Sequence, residues 1–226
     1  MASYIGQNVF VTGASRGIGL GIVQHLLKYS DVKRIFAGAR TPKEATDLQA
    51  LAKQNPKIQI VQFDSLDDNS IKSAVKEVES KVGNDGLNLL INNAGVYLSD
   101  GNNALNPDRE AVLTVYNTNV LQKADKPAKI LNVSSVAGST SGLVGSRVPL
   151  GNATYCSSKF VATSEYGKDL VVLAVHPGWV KTDMGGKQTA ALTVDESVGG
   201  LLNTISKATL AESGKFVDQN GKDLPY

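Results

Sequence analysis

The sequence predicts an α/β domain built on a doubly wound, mostly parallel sheet of seven strands with helices on both faces. Three observations carry that expectation. Short apolar runs alternate with longer amphipathic segments along the 226 residues, as in parallel βαβ units with right-handed crossovers. Strands such as Leu87-Asn-Leu-Leu-Ile91 are nearly continuous in apolar character, which suits a sheet covered on both sides. The first strand also runs into Val11-Thr-Gly-Ala-Ser-Arg-Gly-Ile-Gly19, a glycine-rich turn placed straight before a helix.

In order, Asn8–Thr12 opens the sheet, its strand signal carried by Val9, Phe10 and Val11. A helix over Gly17–Tyr29 follows from Ile18, Ile22, Val23, Leu26 and Leu27, spaced mostly three and four apart. The second strand, Arg34–Gly38, leads to a helix over Thr41–Lys53, where Thr41-Pro42 with Glu44 reads as a capped start. Ile58–Phe63 and the helix Asp67–Val82 come next. Three further pairs follow: Leu87–Ile91 with Asp108–Leu121, Lys129–Ser134 with Ala153–Glu165, and Leu170–His176 with Thr193–Lys207. Thr193, with Glu196 three residues on, repeats the capping signature. A short strand, Lys215–Val217, closes the series. No repeat or linker interrupts it, so residues 1–226 are expected to form one domain with a full core. The Gly-, Ser- and Thr-rich stretch Ala137–Gly151 is expected to be a mobile surface loop.

Bulk properties narrow the function classes. The net charge of +2 is spread along the chain, and no basic block or aromatic-basic interleaving points to nucleic acid. The longest strongly apolar run, Leu170–Val175, is far short of a bilayer span. The opening Met-Ala-Ser-Tyr-Ile-Gly lacks a signal-peptide pattern. Cys156 is the only cysteine, which excludes an internal disulfide and is compatible with a reducing cytoplasm, the location expected. His25 and His176 lie far apart with no cysteine partner, so no metal site is expected.

The glycine turn has a definite chemistry. Gly13 can turn the chain out of the strand, while Gly17 and Gly19 carry no Cβ and let phosphate and sheet approach the backbone. The helix that follows points free N–H groups and the positive end of its dipole at the same place. The spacing is Gly-x-x-x-Gly-x-Gly, unlike the Gly-x-Gly-x-x-Gly of many dinucleotide folds. Taken alone, such a turn is weak evidence; the residues that follow decide.

After it come Asn92-Asn-Ala-Gly95, Ser134-Ser135, Tyr155-Cys-Ser-Ser-Lys159 and Pro177-Gly178, each behind a successive strand or on the helix beyond it. With these five features in order, the chain resembles the short-chain dehydrogenase/reductase family, and within it the small NADPH-dependent carbonyl reductases of the sniffer and C-factor type. The likeness spans nearly the whole chain, including Val175-His-Pro-Gly-Trp-Val-Lys-Thr-Asp-Met-Gly-Gly186 and Gly214-Lys-Phe-Val-Asp218. It implies a Rossmann-type fold with strand order 3-2-1-4-5-6-7 and an oxidoreductase acting on a small carbonyl or alcohol.

Tyr155 and Lys159, four apart, share one face of a helix. An unperturbed tyrosine titrates near roughly 10, and a fixed ammonium beside it favours the phenolate. Such a group can exchange a proton with a carbonyl or alcohol oxygen. Alone, Tyr-x-x-x-Lys would be an ordinary amphipathic pair; behind the other motifs it reads as catalytic. The resemblance makes Ser135 the hydroxyl that orients substrate, with Ser134 as its alternative. It makes Asn119 the holder of a water on a proton-relay path, with Asn117 as a second candidate. Asn92, Asn93, Ala94 and Gly95 become positions that stabilise the sheet and meet the cofactor.

Gly13, Ser15, Gly17, Ile18 and Gly19 would line the pyrophosphate, Asp64 would meet the adenine amine, and Pro177, Gly178, Val180 and Thr182 would hold the nicotinamide end. Enzymes that prefer NAD usually place an acid after the second strand for the ribose 2′-OH. Here Phe36-Ala-Gly-Ala-Arg-Thr41 has none and offers Arg40, with Arg16 in the glycine turn. Two guanidiniums can hold a 2′-phosphate, so NADP(H) is the expected cofactor. Leu98, Leu143, Val144, Trp179 and Met184 are candidates for an apolar substrate pocket, or for plain core and lid packing.

The chain departs from the family in length. About ten residues separate Asn119 from the fifth strand, and about ten separate Lys159 from the sixth, interrupted by Gly167. Ten helical residues span about 15 Å, against about 17 Å for a five-residue strand and about 33 Å for ten extended residues. Return across the sheet is therefore just possible. Two explanations compete, a trimmed chain or a sequence from which segments are missing. The family's usual homo-oligomer packs the two helices concerned, so dimerisation is in doubt. From Ser135 to Tyr155 the gap is about twenty residues, longer than usual. A reductase is the leading expectation, a catalytically idle NADP-binding sensor or interaction protein the alternative, and a sugar-nucleotide epimerase or dehydratase a poor third.

Overall fold

The computed structural model of the chain describes residues 4–96, 129–136 and 170–225. The strands among them are β1 (Asn8–Val11), β2 (Arg34–Ala39), β3 (Ile58–Gln62), β4 (Leu89–Asn92), β5 (Lys129–Val133), β6 (Val171–His176) and β7 (Phe216–Asp218). They form one sheet in the order β3-β2-β1-β4-β5-β6-β7, and every neighbouring pair is parallel. The described helices are α1 (Gly17–Leu26), α2 (Thr46–Gln54), α3 (Asp68–Val82) and α4 (Val194–Lys207).

The near-continuous apolar strands divide their side chains between two cores, because successive residues of a strand point to opposite faces. Val9 and Val11 of β1, Ile35 and Ala37 of β2, and Leu89 and Ile91 of β4 join Ile22, Val23 and Leu26 of α1, Leu48 of α2, and Val198, Leu201, Leu202 and Ile205 of α4. The alternate residues Phe10, Phe36 and Leu90 join Ala74, Val78 and Val82 of α3. Phe10 and Phe63 meet edge to face at 5.5 Å between ring centres, a favoured aromatic geometry. Helices thus cover both sides, as the sequence pattern requires.

Three local expectations change in detail. α1 stops at Leu26 rather than Tyr29. The helix expected over Thr41–Lys53 is split: Pro42–Glu44 forms a 3-10 turn, Ala45 leaves helical geometry at φ −81° and ψ 63°, and α2 starts at Thr46. Thr41 makes no capping hydrogen bond there. Instead Gln49 Nε2 donates to the Pro42 carbonyl at 2.7 Å, which ties the turn to the helix. At Thr193 the capping box forms as read, with Glu196 N–H donating to Thr193 Oγ1 at 3.2 Å and Thr193 N–H donating to Glu196 Oε2 at 2.9 Å. The helices expected at Asp108–Leu121 and Ala153–Glu165, the loop Ala137–Gly151 and both short crossovers lie outside the described residues.

Candidate active site at the carboxyl edge of the sheet

Register places the site. Val11 pairs with Ile91, Asn92 with Asn132, and Val133 with Val175. The segments that leave β1, β4, β5 and β6 therefore emerge along one edge. The chain steps outward from β1 to β3 and then returns to the other side of β1 as β4. Ligands of open parallel sheets bind at such a switch point, outside the carboxyl ends of the strands.

Two segments meet there, Thr12–Gly19 and Asn93–Gly95. Thr12 is buried, and its Oγ1 accepts from the N–H groups of Asn93 at 3.0 Å and Ala94 at 2.9 Å. In return Asn93 Nδ2 donates to the carbonyls of Thr12 at 3.0 Å and Gly13 at 3.1 Å. Ala14 N–H donates to the Gly38 carbonyl at 2.9 Å and ties the turn to β2. Neighbouring Asn92 uses Nδ2 differently, donating at 2.9 Å to Asn132 Oδ1 across β4 and β5. Asn93 is thus a positioning residue of the turn, and Asn92 a cross-link of the sheet.

Glycine is required at the turn itself. Gly13 lies at φ 64°, where a side chain would also meet the Ala94 backbone at 2.9 Å. A Cβ on Gly19 would be driven into the Gly13 carbonyl oxygen and would stand 2.6 Å from Asn93 Nδ2. Gly17, at φ 57°, has only the Thr182 side chain near its missing Cβ, at 3.5 Å. The glycines thus let the turn fold closely against Asn93–Ala94 and onto its own backbone ahead of α1. The first turn of α1 contains no acidic residue, which leaves its N-terminal dipole free to attract an anion. A dinucleotide pyrophosphate fits this donor set.

The other expected residues fall as follows. Arg16 is the N-cap of α1, and its side chain is 79% exposed. It reaches across to Asp183, Nη1 to Oδ2 at 3.5 Å. Arg40 is exposed just beyond β2. Asp64 Oδ1 accepts from Leu66 N–H at 3.0 Å and shapes the turn after β3. Ser134 is buried and donates its N–H to the Val175 carbonyl at 2.8 Å, whereas Ser135 is partly exposed. Asn117, Asn119, Tyr155 and Lys159 lie outside the described residues.

After β6, the Pro177 carbonyl accepts from the buried Ser197 hydroxyl at 2.6 Å, fixing the loop to α4. Val180 is buried, and its carbonyl accepts from Thr182 N–H at 2.8 Å. Thr182 Oγ1 accepts from Gly185 N–H at 3.1 Å. Trp179 and Met184 stand on this loop, 56% and 52% exposed. His176 ends β6 beside Asp218 of β7. Burial depresses its pKa below the ordinary histidine value, with Asp218 opposing the shift. Its buried Nδ1 has no hydrogen-bond partner among the described residues.

Sequence reasoning left Thr12, Asn132, Asp183 and Ser197 out of the site. Thr12 and Asn132 carry a legible signal, since a polar side chain at the end of a buried strand needs a partner. Arg16, which meets Asp183, and Pro177, the partner of Ser197, are 167 and 20 residues away from them, and no local pattern names these contacts.

Comparison with known proteins agrees with this geometry. A profile described as short chain dehydrogenase matches residues 7–193. The norsolorinic acid ketoreductase of Emericella nidulans is 30% identical, the match covering 96% of this chain and 92% of that one. That alignment runs over 246 positions, more than the 226 residues of the chain, so the relative has residues that this chain lacks. The NADPH-bound carbonyl reductase from chicken fatty liver is 35% identical with a TM-score of 0.86, covering 98% of this chain and 99% of that one. The carbonyl reductase Sniffer of D. melanogaster is 28% identical with a TM-score of 0.87, covering 98% and 100%.

Proposed function

The chain belongs to the short chain dehydrogenase family, and we propose that within it the protein is a cytoplasmic NADP(H)-dependent reductase of carbonyl compounds. One observation carries the reading: the closely folded glycine turn ahead of α1 at the β1–β4 switch point, locked from behind by Thr12 and Asn93. Gly13, Ser15, Gly17, Ile18 and Gly19 would hold the pyrophosphate there, and Arg16 with Arg40 the 2′-phosphate. Asp64 would meet the adenine, Asn93, Ala94 and Gly95 the central part, and Pro177, Gly178, Val180 and Thr182 the nicotinamide end. When bound, NADPH supplies a hydride to the carbonyl carbon.

The remaining chemistry is proton handling by the chain. Tyr155 delivers a proton to the carbonyl oxygen, made acidic enough by the ammonium of Lys159 four residues on. Ser135 donates a hydrogen bond to that oxygen as negative charge develops. Its partial exposure beside buried Ser134 supports this choice between the two. Asn119 holds the water that returns a proton toward Lys159. The roles of Asn119, Tyr155 and Lys159 rest on sequence spacing and family resemblance.

Preference for NADP(H) rests on Arg40, which stands exposed where NAD-binding relatives carry an acid, and on Arg16. The chicken carbonyl reductase holds NADPH, which supports the choice. A hydrogen bond to a charged group is worth about 1.5–3 kcal/mol. Arg40→Asp should therefore move the NADPH-to-NADH ratio of kcat/KM toward NADH by about 10- to 100-fold. An unchanged ratio would defeat the arginine assignment. Trp179 and Met184 present apolar surface on the loop after β6, which favours hydrophobic aldehydes, ketones and quinones as substrates.

A further inference from the structure

Arg16 has two claims on it. The proposed function, on which this inference rests, assigns its guanidinium to the cofactor 2′-phosphate. In the structure it is turned toward Asp183, 3.5 Å from Nη1 to Oδ2. Asp183 sits in the loop after β6, and its other oxygen, Oδ1, accepts from Lys187 Nζ at 2.9 Å. The hydrogen bond from Lys187 and its charge, with a smaller effect of Arg16, hold the Asp183 carboxyl below the usual carboxylate range. Asp183 is thus a fixed negative charge at neutral pH.

The same loop touches the glycine turn through Thr182, whose Cγ2 lies 3.5 Å from the position a Gly17 Cβ would take. It is also internally tied. Trp179 Nε1 donates to the Gly185 carbonyl at 2.6 Å, and Gly186 N–H donates to the Thr182 carbonyl at 3.0 Å. Asp183 and Trp179, the one tryptophan of the chain, thus lie in the same tied loop.

We propose that Asp183 is a positioning residue for cofactor choice, which holds Arg16 against the loop after β6 and yields it to a 2′-phosphate. A phosphate dianion is the stronger partner for a guanidinium than a single carboxylate. The Arg16–Asp183 pair is exposed on both sides, 79% and 54%, and exposed pairs are weak. Competition is therefore modest and opposes only ligands that need Arg16. By linkage, binding of NADP(H) loosens the Asp183 contact and adds to the change at Trp179 that both nucleotides make through the nicotinamide, whereas NAD(H) leaves the Arg16–Asp183 contact as it was.

The test uses the full chain with NADP⁺ and NAD⁺, which do not absorb tryptophan emission. Affinities come from titration calorimetry and the loop is followed through Trp179 fluorescence. Asp183→Asn should tighten NADP⁺ by about two- to fivefold, the worth of an exposed pair, leave NAD⁺ unchanged, and remove the NADP⁺-specific fluorescence change. Arg16→Ala should weaken NADP⁺ alone. If Arg16→Ala behaves so while Asp183→Asn changes nothing, or weakens both nucleotides equally, the role of Asp183 is overturned and that of Arg16 stands. If Arg16→Ala leaves the NADP⁺-to-NAD⁺ ratio untouched, the assignment of Arg16 fails and the proposal with it.

Discussion

Asn93 shows how much of the site rests on one side chain. Its amide holds two carbonyls, of Thr12 and Gly13, and so fixes the glycine turn proposed to bind the phosphates. Removing it leaves both without that donor, at about 1–3 kcal/mol for each acceptor left unsatisfied. Asn93→Ala should lower Tm by several degrees, at about 2–4 °C per kcal/mol for a chain of this size. It should also weaken NADPH binding at least about tenfold, since one misplaced donor is worth about 1.4 kcal/mol. Calorimetric scanning and titration together check this, and normal values of both would contradict the positioning role. His176 offers a second residue-scale test. Burial lowers its pKa in the folded chain, so the unfolded chain binds its proton first as pH falls. Stability is then complete above the ordinary value of about 6.5 and declines as pH drops from there toward the lowered value. Denaturant midpoints measured from about pH 7.5 to 5 should fall less steeply for His176→Leu than for the native chain. Identical slopes would exclude the effect.

At the scale of elements, α4 acts as the anchor of the loop after β6. Ser197 is buried in its first turns and donates to the Pro177 carbonyl. Ser197→Ala is expected to cost about 1–3 kcal/mol and to raise KM for NADPH while leaving kcat within about threefold, because the bond acts on binding geometry. A large loss of kcat with KM unchanged would place Ser197 in the chemistry instead. The boundaries of α4 were legible because Thr193 and Glu196 satisfy each other at the point where the apolar periodicity begins. At Thr41 the same letters mislead. Ala45 leaves the helical region, and the donors of the next helix are organised from Ala45 onward. A capping pattern states which N–H groups can be satisfied locally, not where a neighbouring strand and its exit angle let the helix begin.

Across the whole molecule, the parallel sheet covered on both faces was the most legible feature, while the strand order came from the family resemblance. Both-sided burial demands continuous apolar strands, and parallel pairing demands the helices between them. The division of Phe10, Phe36 and Leu90 from Val9, Ile35 and Leu89 into separate cores follows directly from strand alternation. The turn between β1 and α1 was legible too, since Gly13, Gly17 and Gly19 are local. What joins it to the rest was not: Thr12 to Asn93, Arg16 to Asp183 and Ser197 to Pro177 are contacts of tertiary structure. The short stretches on either side of β5 are counts of residues in the sequence and lie outside the described residues.

The central claim concerns one proton and one hydride. Purified full-length chain is mixed with NADPH and a panel of hydrophobic aldehydes, ketones and quinones, and NADPH absorbance is followed beside Tyr155→Phe, with NADPH affinity measured for both. The account predicts turnover by the native chain and a loss of at least about a hundredfold in the variant, the usual contribution of a general acid, with NADPH still bound. Equal rates in the two proteins, or bound NADPH with no turnover by the native chain on any carbonyl, would contradict it.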